Sequence, residues 1–385
     1  MRIVIAPDSY KGSATALQVG GAMADGLRAV WPEAAIDLAP VADGGQGTVD
    51  ALVLAAGGTT RTAVVTGPLG APVNAKYGIL ADGTAVIEMA QASGLMLVKP
   101  GDRNPLVTTT YGTGELIRTV LEGGARTIIV GIGGSATNDG GAGMAQALGV
   151  SFLDENGREI GRGGGELARV TRVDLSRLHP AVRNRGVRVL VACDVDNPLC
   201  GPAGASRTYG PQKGATPEMV ERLDDALARF AGVVERAVGR GFKDSPGAGA
   251  AGGLGFGLMA FLGARLEPGI QIVANAARLK ERIQAADLVI TGEGCTDWQT
   301  AHGKTAAGVA RIARECGVPA IIISGGLGAG HERVYDAGAS GLAVTAPGPV
   351  SLDEAMRDAL PLIRAATERV ARLIQVGRGL GLRER

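Results

Sequence analysis

The sequence is poor in aromatic residues, cysteine and histidine, and each shortage limits the kinds of contact or site that the protein can form. Aromatic residues make up only 3% of the 385 residues, so contacts through the backbone are expected more than contacts through rings. The four cysteines form no CxxC pair, which indicates reduced thiols and excludes a disulfide framework. The three histidines, His179, His302 and His331, lack metal-ligand spacing, which excludes a structural zinc site.

The sequence also lacks a charge excess and a long apolar run. Lys and Arg number 39 against 38 Asp and Glu, a net charge of +1, so no nucleic-acid partner is expected. No apolar segment is long enough to span a bilayer, and residues 1–13 have too short an apolar core for a signal peptide. We therefore predict a cytoplasmic protein with a small-molecule ligand and no membrane partner. A homo-oligomer is compatible with the sequence.

Glycine, by contrast, is abundant, with 62 residues or about twice the average usage. The glycines punctuate apolar runs that alternate as strand, helix, strand, helix up to about residue 56. Between Thr59 and Glu88 the pattern becomes that of antiparallel hairpins, and after Pro268 the alternation returns. Among the later elements we predict long helices at about Pro217–Val238 and Gly253–Leu262, a helix ending at Ala286, a strand over Asp287–Thr291, and a last helix from Ser351.

These patterns predict an α/β fold with two domains. Residues 1–60 and 268–385 form a discontinuous α/β domain with a parallel sheet. Residues 61–267 form an inserted mixed α/β domain with an antiparallel hairpin region.

The stretch TGEGCTDWQTAHGKT, residues 291–305, ends like a phosphate-binding P-loop. That pattern requires glycine at position 298, where this chain has Trp298, so the P-loop interpretation fails on spacing. What remains is a strand followed by a polar turn that contains Glu293, Asp297, His302 and Lys304.

Polar side chains follow several strands, where ligands of open α/β sheets bind. Each group could also be an ordinary helix cap or turn. Together they are candidates for a site: Asp8, Ser9 and Lys11; Asp43; Asp194; and Glu293 with Asp297.

The segment TIIVGIGGSATNDGGAGM, residues 127–144, has two functional interpretations. Gly131, Gly133 and Ala136 fit a dinucleotide-binding fingerprint, with Asp154 near the position of the ribose-binding acid. Glycines where the helix should begin weaken that interpretation. The alternatives are a structural turn, or a loop whose amides bind phosphate together with polar side chains; its candidate residues are Gly133, Gly134, Ser135 and Asn138.

Lys11 and Lys213 lie on glycine-flanked loops, from which a lysine can neutralise phosphate as a point charge. Acids, lysines and glycine-rich loops together indicate phosphoryl transfer, in which a protein positions the reactants and neutralises charge. Carboxylates could also bind Mg²⁺ or accept the proton of an attacking hydroxyl.

Several long motifs, in order along nearly the whole chain, resemble those of the bacterial glycerate kinases that make 2-phosphoglycerate. They are IAPDSYKGS (5–13), PVADGGQGT (40–48), GIGGSATNDGGAGM (131–144), ACDVDNPLCGPAGAS (192–206), YGPQKGA (209–215), PGAGAAGGLGFG (246–257) and TGEGCTDWQTAHGK (291–304). The resemblance implies ATP-dependent phosphorylation of D-glycerate with Mg²⁺, by a Rossmann-like domain built from both chain ends and an inserted α/β domain.

From the clustering at strand ends together with this resemblance, we expect Asp194 to orient or deprotonate the acceptor hydroxyl, and Lys11 and Lys213 to neutralise the transferred phosphoryl group. Glu293, Asp297 and Asp43 are expected to hold Mg²⁺, with Lys304 assisting phosphate binding. Three residues depart from the family pattern: Gln46 in place of Glu, Cys295 in place of Arg, and Trp298 in place of a small polar residue. Loss of the Arg removes a bidentate oxyanion donor, which puts the acceptor in doubt more than the reaction class.

Two alternatives stay open at the level of sequence. The first is an NAD-dependent dehydrogenase that uses the loop of Gly131, Gly133 and Ala136. The second is a non-catalytic two-domain protein that binds a small ligand without releasing ADP.

Overall fold

The computed structural model describes residues 1–301 and 304–381 of the chain. The strands are β1 (Arg2–Ile5), β2 (Ala35–Leu38), β3 (Gly58–Thr66), β4 (Pro72–Leu80), β5 (Ala85–Glu88), β6 (Thr127–Gly131), β7 (Ser151–Leu153), β8 (Arg172–Asp174), β9 (Arg188–Ala192), β10 (Arg265–Glu267), β11 (Leu288–Thr296), β12 (Ala320–Leu327) and β13 (Gly341–Val344).

The α-helices lie between and after these strands. They are α1 (Ala16–Arg28), α2 (Thr48–Ala56), α3 (Ala90–Ser93), α4 (Tyr111–Glu122), α5 (Ala142–Ala147), α6 (Pro180–Arg183), α7 (Ala205–Tyr209), α8 (Pro217–Val238), α9 (Ala250–Leu262), α10 (Gly269–Ala276), α11 (Leu279–Gln284), α12 (Trp298–Ala301), α13 (Thr305–Glu315), α14 (Val334–Ala337), α15 (Leu352–Arg357) and α16 (Ala359–Gly381). Short 3₁₀ helices span Leu95–Leu97, Pro100–Asp102, Gly164–Arg169, Pro211–Lys213 and His331–Arg333. No described helix is long and apolar enough to cross a membrane.

The described chain divides into two compact units. The first contains Met1–Asp43, Asp50–Ala56 and the residues from Ile270 onward; the second contains Gly44–Val49 and Gly57–Gly269. The α/β fold class predicted from the alternating pattern is confirmed, with a parallel sheet in one unit and a mixed sheet in the other.

The first unit is built on a five-stranded sheet in the order β13-β12-β11-β1-β2, and every described pair in it is parallel. Its central strands are continuous apolar runs because helices cover a parallel sheet on both faces. Ile3 and Ile290 are fully buried and pack with Leu27 of α1 and Ile363 of α16. Each such side chain contributes about 1.5–3 kcal/mol through burial.

The second unit is built on a six-stranded sheet in the order β10-β9-β6-β5-β4-β3. β3, β4 and β5 pair antiparallel, as the hairpin pattern predicts, whereas β5, β6, β9 and β10 pair parallel. Phe152, Phe230 and Phe256 meet edge to face in its core. β7 and β8 form a separate antiparallel pair.

The strand over Asp287–Thr291 is longer than predicted, and this corrects the expected polar turn. β11 continues through Gly292 and Gly294 to Thr296, paired with β12 along its length. The glycines suggested a turn, but they serve close packing instead: a Cβ at Gly292 would collide with the Ile323 carbonyl.

Several helix predictions are also corrected. The helix expected to end at Ala286 is two helices, α10 and α11, separated by Arg278 in the left-handed region (φ 51°). The helix expected from Ser351 is likewise two, because α15, capped by Ser351, ends before Asp358 and α16 follows. In α9 the residues Ala251, Gly252 and Gly253 are non-helical, so regular helix begins at Leu254.

Candidate active site

Asp8 lies just after β1, at the carboxyl end of the parallel sheet in the first unit. Its amide donates to the Gly292 carbonyl (2.9 Å), which ties the turn to β11. Burial raises the pKa of Asp8 to about 7, and the neighbouring carboxylates of Asp43 and Glu293 act in the same direction. Three acidic side chains therefore share one small region of this unit.

Glu293 lies on β11 itself, and only 9% of it is exposed. Its Oε1 accepts a hydrogen bond from Thr296 Oγ1 (2.9 Å). Burial raises the pKa of Glu293, whereas hydrogen bonds from Thr300 and Thr296 and the charge of Lys304 lower it. The same electrostatics place Asp297 nearby, since its charge adds to the upward shift.

Asp297 and Lys304 sit at the starts of two helices. The Asp297 carboxylate accepts from the Thr300 amide (3.2 Å) and so caps α12. Lys304 is the N-cap of α13, which begins at Thr305. The predicted residue His302 lies outside the described residues. The Thr305 hydroxyl is buried and reaches hydrogen-bond geometry with no described group, although it lies near enough to Asp8 to lower the pKa of that acid.

The other predicted residues of the first unit lie in the segments that follow β1 and β2. The Ser9 amide donates to Asp8 Oδ1 (2.6 Å). Lys11 is exposed on the same turn, where Gly12 adopts a left-handed conformation (φ 81°). Asp43 is exposed and follows β2. Electrostatic coupling thus places Asp8 near Asp43 and Glu293, and Glu293 near Asp297 and Lys304.

In the second unit, Glu88 at the end of β5 holds the glycine turn that precedes α2. Its Oε1 accepts from the amides of Gly47 (2.9 Å) and Val49 (2.8 Å). Burial raises the pKa of Glu88, which is 1% exposed. The turn packs so closely that a Cβ at Gly131 would collide with the Gly44 carbonyl.

The glycine-rich loop after β6 is fixed largely by its own backbone. The Gly133 amide donates to the Gly44 carbonyl (3.4 Å), and the Gly134 carbonyl accepts from Leu95 (2.8 Å). Ser135 is buried and forms a bridge with Gly94. The loop is therefore preorganised, a property that an oxyanion-binding loop requires.

Asp139 anchors the far end of this loop. Its fully buried carboxylate accepts from the Thr110 amide (2.8 Å) and hydroxyl (2.9 Å). It also accepts from the amides of Gly141 (3.2 Å) and Gly143 (3.3 Å). Burial raises the pKa of Asp139, and these hydrogen bonds oppose the shift. The neighbouring Asn138 donates to Ser206 Oγ (2.9 Å).

Lys213 is buried beneath the loop, with 1% of its surface exposed. Its Nζ donates to the Thr137 carbonyl (2.7 Å), and burial lowers its pKa to about 7. Two acceptors of the same loop, Thr137 Oγ1 and Asn138 Oδ1, are buried without a described hydrogen-bond partner. A direct contact of Lys213 with phosphate stays a prediction; the structure shows its ammonium directed at loop backbone.

Asp194 follows β9 in the second unit and is exposed. Its Oδ1 accepts from the Gly269 amide (2.8 Å), a contact that fixes the carboxylate orientation. Asp194, Lys213, Ser135 and Asn138 all belong to the second unit, and the acidic group around Asp8 belongs to the first.

The geometry does not fit the dinucleotide alternative. α5 has only six residues and begins at Ala142, after two left-handed glycines, so no long helix points its N-terminus at a pyrophosphate. The proposed ribose ligand Asp154 instead accepts from Asn156 and Arg158 within a tight turn and pairs with Arg169 (3.1 Å).

The acidic group of the first unit suits a cation. Clustered carboxylates raise one another's pKa, and a divalent ion removes that repulsion. The described residues contain no group of three or more His, Cys, Asp or Glu arranged as a complete metal site. Mg²⁺ usually takes one or two carboxylates together with water and substrate phosphate, so these residues fit it.

Fold and site define a two-unit α/β protein with carboxylates at the ends of parallel strands and a rigid glycine-rich loop. The sequence model of the glycerate kinase family matches residues 3–375. The chain is 52% identical over 382 residues to a glycerate 2-kinase of Escherichia coli K12, covering 98% of this chain and 99% of that protein. It is also 52% identical over 370 residues to a glycerate kinase of Halalkalibacterium halodurans, with 96% and 97% covered. A crystal structure described as glycerate kinase 2 of Salmonella typhimurium LT2 superposes with a TM-score of 0.89 at 48% identity, covering 98% of this chain and 99% of that chain.

The chain belongs to the glycerate kinase family. The resemblance read from the motifs is confirmed, and the protein is a kinase, not a dehydrogenase or a non-catalytic binding protein.

Proposed function

We propose that this kinase transfers the γ-phosphoryl group of ATP to the C2 hydroxyl of D-glycerate and yields 2-phosphoglycerate. The observation that supports the proposal most is the 52% identity, over nearly the full length of both chains, to a protein named glycerate 2-kinase. The strand-end acids and the rigid loop are compatible with it, since phosphoryl transfer requires positioning and charge neutralisation.

The proposed roles in the first unit follow from charge. Glu293 and Asp297 hold Mg²⁺, with Asp43 and Asp8 completing the negative surroundings. When bound, Mg²⁺ neutralises charge on the phosphate oxygens. Lys304 and the exposed Lys11 supply positive charge to the transferred group, and the buried Thr305 hydroxyl beside Asp8 is a further polar group of this site.

The proposed roles in the second unit follow from orientation. Asp194, held by the Gly269 amide, orients the acceptor hydroxyl or takes its proton. Gly133, Gly134, Ser135 and Asn138 present a rigid binding loop. Lys213 supports that loop through Thr137 and reaches phosphate only if its contact with the loop is exchanged.

A coupled ADP-release assay tests the function. The wild-type chain is given ATP and Mg²⁺ with D-glycerate, L-glycerate, glycolate or lactate, and the phosphorylated product is identified by ³¹P NMR. We expect turnover with D-glycerate and a phosphomonoester at C2. Absence of ADP above background with every acceptor would reject the proposal, and a C3 product would reject its regiochemistry.

A further inference from the structure

A cavity of about 620 Å³ opens in the first unit at the amino-terminal edge of β1 and β2. This volume is within the range of small-molecule sites. Its lining combines small apolar residues with charged residues that come from β1, from β2, and from α11 with its N-cap Arg278. The lining consists of Arg2, Ala35, Ile36, Asp37, Ala55, Ala56, Ala276, Ala277, Arg278, Glu281, Arg282 and Ala285.

Positive charge prevails in this cavity. It contains three guanidinium groups, from Arg2, Arg278 and Arg282, against two carboxylates, from Asp37 and Glu281. Asp37 is engaged by Arg282 through a single contact of 3.5 Å between Oδ2 and Nε. The described residues therefore leave more donor capacity in the cavity than acceptor capacity.

Arg282 has one hydrogen-bond donor for which the described residues provide no acceptor. Its Nη1 is buried and has no hydrogen-bond partner among the described residues. A buried N–H without an acceptor is costly, so natural proteins nearly always satisfy it with protein, water or ligand. Arg282 lines the cavity together with the exposed Arg2 and Arg278, so an oxyanion bound there would supply an acceptor beside three guanidinium groups.

The cavity lies at the opposite edge of the sheet from the candidate active site. Arg2 begins β1 and Asp8 follows its other end, six residues on, which corresponds to roughly 20 Å along an extended chain. A ligand here cannot contact the acids at the strand ends. We propose that this cavity is a second binding site, for a small phosphate- or carboxylate-bearing anion held by Arg2, Arg278 and Arg282.

The test uses inorganic phosphate and, in a separate arm, succinate, each titrated at constant ionic strength. Binding is followed by the side-chain Nε–Hε NMR signal of Arg282, assigned from its loss in Arg282→Gln. We expect a saturable shift of that signal and a weakening of at least about tenfold in the double variant Arg2→Gln/Arg278→Gln. The arm that saturates identifies the anion.

The matched control is Arg311→Gln, which removes an exposed arginine of α13 outside the cavity and should bind as the wild type does. The double variant changes only exposed side chains, so it keeps the fold if Arg282→Gln does not. An Arg282 signal insensitive to both anions would overturn the proposal. So would unchanged affinity in the double variant, because anion binding would then belong to another part of the chain.

Discussion

At the scale of single residues, Asp8 is a partly buried acid whose negative charge lowers the stability of the folded protein. Its pKa is about 7 in the folded protein and near 3.8 when unfolded, so folding retains a proton between these values and stability falls as pH rises from 4 to 7. We expect Asp8→Asn to stabilise the ligand-free protein by about 1–3 kcal/mol at pH 8, and by progressively less toward pH 5.

Urea unfolding at several pH values, without Mg²⁺ or nucleotide, measures this effect. Asp225→Asn is the control, because it removes an exposed carboxylate of α8 and should show no such pH trend. A stability gain for Asp8→Asn that stays constant between pH 5 and pH 8 would contradict the assignment.

Lys213 is a buried base, so the pH dependence of its contribution to stability has the opposite sign to that of Asp8. Burial lowers its pKa to about 7 from 10.5, so the unfolded chain binds the extra proton between these values and stability rises with pH there. We expect the wild type to gain stability relative to Lys213→Met by up to roughly 1 kcal/mol per pH unit between pH 7 and 9.5. Chemical unfolding at several pH values measures the free energy of unfolding of each protein. Lys99→Met, which removes an exposed lysine, is the control. Parallel pH curves for the wild type and both variants would refute the prediction.

Asp194 carries the clearest catalytic expectation. Asn at this position can keep the hydrogen bond from Gly269 through its carbonyl oxygen but cannot accept a proton. We expect Asp194→Asn to reduce kcat with D-glycerate about 100-fold or more, with the KM for ATP little changed. Steady-state kinetics measure both values. Near-normal kcat would remove Asp194 from the mechanism.

At the scale of secondary structure, the approach of β11 to β12 depends on glycine at particular positions. A Cβ at Gly325 would lie inside contact distance of the Gly294 carbonyl, whereas one at the next residue, Gly326, would meet nothing within 4 Å. We expect Gly325→Ala to lower the free energy of unfolding by about 1–3 kcal/mol and Gly326→Ala to have little effect. Equal effects in urea unfolding would show that packing is not the cause.

Sequence patterns predicted the elements whose signal is local. The long helix expected at about Pro217–Val238 is α8, and its signals are local: a proline in the first turn and a capping box at Thr216. The extent of β11 was missed because its glycines suggest a turn, and only pairing with β12 shows otherwise. Glu88 and Asp139 were missed for a related reason: the amides of Val49 and Thr110 that hold them are distant in sequence, and nothing local marks either acid as buried.

At the scale of the whole molecule, both units place polar groups at the carboxyl ends of parallel strands. In the first unit these are Asp8 after β1 and Glu293 on β11; in the second they are Glu88 on β5 and Asp194 after β9. The rule is geometric, because neighbouring parallel strands end on the same edge of a sheet. It explains why Asp8, Asp194 and Glu293 were identifiable from sequence before their partners were, whereas Glu88 was not singled out.

The proposed cation site can be tested on the intact chain by ligand stabilisation. A ligand that binds only the folded state at 100 times its Kd adds about 2.7 kcal/mol, which raises Tm by several degrees. We expect ATP with Mg²⁺ to raise the Tm of the wild type, and EDTA to remove most of the gain.

In Glu293→Gln the gain in Tm should be largely lost because one negative ligand of the cation is removed. Glu332→Gln changes an exposed glutamate elsewhere in the same unit and should respond as the wild type does. A full Mg²⁺-dependent Tm shift in Glu293→Gln would show that the cation is held without Glu293.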